Sequence, residues 1–167
     1  MTLFARTLAP LALGLALATS AAPALAAPSD AAPAAAPRAE GVIRLRSTHN
    51  VAETVERVRA AVAAKGIRFF DSIDQSALGA SADLPIPAST LVLFGNPPLG
   101  VQFLAANRYA GLDWPVRMLV VEEADGSVWL AWTDFAWIGR RYAITGKEPQ
   151  LKMASEVAAS IAAAAAN

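Results

Sequence analysis

The sequence predicts an α+β fold: a two-layer sandwich in which a mainly antiparallel sheet carries helices on one face, in the order β-α-β-β-(α)-β-β-α. Three observations lead there. Val51, Val55, Val58 and Val62 recur at the spacing of one helix face. Asp125-Gly126 stands between two β-rich runs, where a tight hairpin turn needs positive φ. Only two long helical segments accompany these hairpin-linked strands, which favours an antiparallel sheet under one helix layer.

In chain order, Val42 to Arg46 form a first strand. Asn50 and Glu53 have the N-cap to N3 spacing of a capping box, in which each side chain satisfies the other's backbone N–H, and they open a helix over 50–65 that Gly66 ends. Glu53 and Arg57, four apart, lie on its wet side. Ile67 to Ile73 is a strand that leads into a polar turn at Asp74 and Gln75, and Ser76 to Ala82 a short helical turn. Leu84-Pro85-Ile86-Pro87 is extended, because each proline pushes its predecessor out of the α region. Thr90 to Phe94 is a continuous apolar run suited to a strand covered on both faces. Gly95 ends that strand and Asn96 caps a helix of two to three turns over 99–107. Strands 116–123 and 127–133 then pair through Ala124-Asp125-Gly126. Asp134 N-caps the turn Phe135 to Tyr142, and Pro149 opens a final helix with Leu151, Ala154, Ala158 and Ile161 on one side.

Ahead of this domain, residues 1–26 have the layout of a secretory signal peptide: a basic residue at Arg6, an uncharged run from Leu8 to Ala18, and small residues up to Ala26. The run is shorter than the roughly 20 residues of a membrane span. Cleavage after Ala26 is expected, with a periplasmic or secreted product that has no membrane association. Residues 27–40, rich in alanine and proline, read as a tether, and 41–167 as a single α+β domain.

Composition excludes several chemistries. The 14 basic and 14 acidic residues leave no net charge, so nothing recruits nucleic acid. With no cysteine there are no disulfides, thiolate nucleophiles or iron–sulfur clusters. His49 is the one histidine, which rules out a multi-histidine metal site; its place before a helix makes it a solvated capping-region residue. No cofactor, metal ligand set or catalytic residue is expected.

The strand-corner-helix stretch 91–104 is the place to look for a phosphate cradle. Behind Asn96, however, Pro97 and Pro98 have no N–H to give, and neither a Gly-x-Gly-x-x-Gly nor a P-loop spacing is present. Asp113, Arg117, Asp134 and Arg141 are the charges nearest the apolar hairpin; they either rim a ligand site or pair with one another at the surface. Glu122, Glu123 and Asp125 fall at the hairpin tip as solvated charges. Both faces of the hairpin are apolar, and alternation sends Trp129 and Trp132 to opposite sides. One helix layer covers one face. The other needs a partner, a ligand or a second subunit.

Several segments, in order, resemble the bacterial domain of unknown function family 302: Thr54 to Arg59, Phe70 to Asp74, Phe94 to Gly100, Leu112 to Arg117 and Asp125 to Leu130. The resemblance implies a two-layer fold of the TATA-binding-protein type, often dimeric, and carries no established activity. Many members have histidine directly after the Ile-Asp pair and another after the arginine that follows the hairpin; here those places hold Gln75 and Tyr142. A binding role survives that loss better than a catalytic one. The expectation is therefore an exported domain that acts by binding a small apolar ligand or a protein partner, as a dimer through its sheet face. The expected binding residues are Asn96, Asp113, Arg117, Trp132, Asp134 and Arg141. The alternative is a carboxylate-dependent hydrolase or isomerase using Asp113 or Asp134.

Overall fold

The computed structural model describes residues 39–167. The expected signal peptide and most of the tether lie outside the described residues. Eleven elements follow one another: β1 (Val42–Ser47), α1 (Val51–Ala64), β2 (Arg68–Asp74), α2 (Gln75–Ser81), β3 (Ser89–Gly95), α3 (Pro97–Ala106), a 3₁₀ helix (Arg108–Asp113), β4 (Val116–Glu122), β5 (Val128–Thr133), α4 (Phe135–Arg141) and α5 (Glu148–Ala166). The strands form one sheet in the order β1-β5-β4-β3-β2, and each neighbouring pair is antiparallel.

Side-chain alternation sorts the sheet into two faces. Val92, Phe94, Met118, Val120, Leu130 and Trp132 are buried beneath the helix layer. From above, α1 brings Val51, Thr54, Val55, Val58 and Val62 into that core, and α5 brings Leu151, Ala154, Ala158, Ile161 and Ala162. The opposite face holds Leu91, Leu93, Leu119, Val121, Trp129 and Ala131, all partly exposed, and among the described residues neither long helix packs on it. The expectation that the Thr90 to Phe94 strand is covered on both sides is therefore corrected. Its hydrophobic residues outside the helix layer form a surface.

Local chemistry explains the boundaries. Asn50 caps α1 by accepting the Glu53 N–H at 2.9 Å, and Gly66 ends it at φ +63°. The reciprocal half of the capping box is absent, because the Glu53 carboxylate lies 2.8 Å from His49 Nδ1. His49 is thereby partly enclosed, with its side chain 22% exposed, instead of solvated. Asp74 and Asp134 cap α2 and α4 through the N–H groups of Ala77 and Ala136. Asn96 precedes α3 but makes no side-chain cap. With Pro97 and Pro98 in the first turn, the two earliest N–H groups belong to Leu99 and Gly100, and both donate to the Asn96 carbonyl. Nothing is left for its side chain to cap.

Candidate functional site: an open sheet face with a buried carboxylate at its end

The uncovered face has an apolar centre and polar ends. At its centre, Leu91 pairs with Leu119 and Val121 with Trp129 across neighbouring strands. Near the hairpin tip, the Arg44 guanidinium stacks over Trp129 at 4.3 Å and pairs with Glu123. The Trp129 indole N–H donates to Ser127 Oγ at 2.8 Å. Glu123 is thus tied to β1, a correction to its reading as a solvated tip charge, whereas Asp125 is exposed as expected and accepts from Ser127.

At the other end Arg117, on the open face of β4, reaches the carboxylate of Asp113. That side chain is only 3% exposed. Its second oxygen accepts from the Tyr142 hydroxyl at 2.6 Å and faces Arg141 Nη1 at 3.4 Å. Asn107 donates to the Tyr142 carbonyl at 2.8 Å, fixing the end of α4 against the start of the 3₁₀ helix. A buried carboxylate without partners is unstable, and here two guanidiniums and a phenol supply them. Burial, followed by the hydrogen bond to Asp113 and then its charge, raises the Tyr142 pKa above its ordinary value.

Of the expected binding residues, the structure brings Asp113, Arg117 and Arg141 together and scatters the rest. Trp132 is a correction: at 5% exposure it belongs to the helix-side core, and Trp129 is the tryptophan of the open face. Asp134 serves as a helix cap. Asn96 stands at the β3–α3 corner beside a small apolar cavity of about 30 Å³ under Trp114, lined also by Phe103 and Phe135. Neither Asp113 nor Trp132 lines it, so the three do not share one pocket. Tyr142 was missed as a cluster member; its signal was the Arg141-Tyr142 pair at the end of a predicted turn. Gln75 bonds Ser89 at the start of β3, whereas Tyr142 sits beyond the end of β5, at the opposite end of the sheet. The two positions that depart from the family pattern therefore form no common site within one chain. Among the described residues, no three histidine, aspartate or glutamate side chains are grouped to hold a metal ion.

A five-stranded antiparallel sheet with its two long helices packed on one face defines a two-layer α/β sandwich. Residues 43–167 match the family described as Domain of unknown function DUF302, and the chain belongs to that family. It is similar in fold to an uncharacterized conserved DUF302 protein from Bacillus stearothermophilus: TM-score 0.69, 13% identity, 76% of this chain and 99% of that one. It is also 38% identical over 104 residues to proteins of Brucella suis and Brucella abortus named fluoride-specific ion channel FluC 1. Those matches cover 62% of this chain and 41% and 38% of the two relatives, so the chain spans about two fifths of their length. No helix among the described residues is long and apolar enough to cross a membrane.

Proposed function

We propose that this chain is an exported binding domain that works as a homodimer, with two copies facing each other across the open side of the sheet. The observation that carries the reading is the apolar centre that the described residues leave partly exposed: Leu91, Leu93, Leu119, Val121, Ala131 and Trp129. The whole face of five strands spans roughly 500 Å² in projection, from about 4.8 Å between strands and 3.4 Å per residue, and its apolar centre lies on the three middle strands. Apolar surface of a few hundred Å² marks an interaction site on a soluble protein. The sheet edges are less suited to pairing. β1 carries Arg44 and Arg46, and the register of β2 slips between Phe69 and Asp71; charge and bulge are the devices that blunt an edge strand. Carboxylate catalysis finds less support. Asp113 already receives three donors, Asp134 caps a helix, and neither lines the apolar cavity.

The test is light scattering over a concentration series of the purified chain, with Trp129→Ser beside it. A dimer that weakens to monomer in the variant is expected. A concentration-independent monomer, or a dimer indifferent to Trp129→Ser and to Leu119→Glu, overturns the proposal.

One observation favours a second reading. In the fluoride-channel relatives the shared region occupies about two fifths of the length, so a domain like this one is joined there to further sequence. On that reading the same face docks on a different protein, a membrane channel. The chain is then monomeric alone, and Leu119→Glu abolishes its association with a coexpressed channel.

A further inference from the structure

We propose that Arg117 and Arg141, positioned by Asp113, form a receptor for one small oxyanion, a carboxylate or a phosphate group. The carboxylate is buried, and it draws together arginines from β4 and α4. Two guanidiniums on one carboxylate leave one positive charge over. Both arginine side chains remain accessible, 44% and 46% exposed. Each uses one terminal nitrogen on Asp113, and among the described residues their other N–H groups have no hydrogen-bonded protein partner. A guanidinium has five donors in a planar fork, so each has an unused edge matched to the oxygens of an anion.

The setting adds two features. Arg141 lies over the rings of Trp137 at 4.9 Å and Tyr142 at 5.3 Å, which limits its rotamers. An anion bound there costs less side-chain entropy than one bound by free surface arginines. Charge is also concentrated locally: stretches 107–117 and 134–142 hold four arginines against two aspartates, in a chain of zero net charge. The attraction is to a compact anion. A nucleic acid backbone would need a longer basic track than one pair provides.

The site is assembled within one chain but at the polar end of the open face, so the titration is run both on the wild type and on Leu119→Glu, in which a second copy does not cover that face. Inorganic phosphate and, separately, acetate are titrated into the full chain at constant ionic strength, with the arginine Nε–H resonances followed by NMR. Saturable shifts at Arg117 and Arg141, absent at Arg46 and Arg68, are expected with at least one of the two. The anion that saturates identifies the class. Arg141→Lys keeps the charge and loses the fork; it should weaken binding about tenfold, a difference of about 1.4 kcal/mol, while Arg46→Lys leaves it unchanged. Shifts that stay linear and equal at all arginines, or saturable binding untouched by both Arg117→Lys and Arg141→Lys in folded protein, overturn the proposal.

Discussion

The Tyr142 hydroxyl donates to Asp113 Oδ2 across 2.6 Å and so ties the end of α4 to the turn before β4. The bond requires the phenol to keep its proton, and both burial and the neighbouring carboxylate resist ionisation. Below about pH 10, the ordinary value for tyrosine, this link is intact. Above it the unfolded chain releases the proton before the folded one does. The folded state then binds more protons, and stability falls as pH rises toward the elevated folded value. Denaturant melts between pH 8 and 11 should show an alkaline loss of stability that is reduced in Tyr142→Phe. At neutral pH that variant should lose roughly 1.5–3 kcal/mol, as expected for a hydrogen bond to a charged group.

The two tryptophans of β5 should separate stability from association. Trp132 lies in the helix-side core, so Trp132→Ala should cost about 3–5 kcal/mol in chemical denaturation. Trp129 lies on the open face, and Trp129→Ser should lower association while changing monomer stability by much less. Thermal melts paired with light scattering on both variants check the contrast.

Asn50 and Asn96 occupy equivalent places before α1 and α3, yet only Asn50 caps with its side chain. Asn50→Ala should cost about 1 kcal/mol. Asn96→Ala should stay near zero, because the Leu99 and Gly100 N–H groups use its carbonyl, which alanine retains. Urea midpoints of the two variants give the answer directly.

Gly100 packs beneath Trp114 so closely that a Cβ would overlap the indole. Gly100→Ala must displace Trp114 or the first turn of α3, and should destabilise by about 1–3 kcal/mol. Gly111, with open space around its Cα, should accept alanine with little change. Parallel melts of Gly100→Ala and Gly111→Ala test whether the close approach is responsible.

Much of this was readable in advance because it is governed by neighbours in the chain. The valine spacing of α1, the positive φ of Gly66 and Gly126, and the Asp134 cap depend on a few consecutive residues. The 3₁₀ helix at Arg108–Asp113 was missed, since its stretch lacks an amphipathic period and is held from outside by the Asn107 bond to Tyr142. The ion cluster around Asp113 was half readable. Charge identified Asp113, Arg117 and Arg141, but alternation leaves it open which hairpin tryptophan faces the helices.

By itself, then, the order of residues determined the antiparallel two-layer plan, the start and end of α1, and the presence of an apolar face that one helix layer cannot hide. Periodicity and turn chemistry are local and act wherever the chain goes. Only the tertiary structure decided that Trp129 and not Trp132 is on the open side, that the Glu53 carboxylate prefers His49 to its capping partner, and that Asp113 is buried between arginines from different elements. Those outcomes depend on sheet register and helix docking, which bring together residues far apart in sequence.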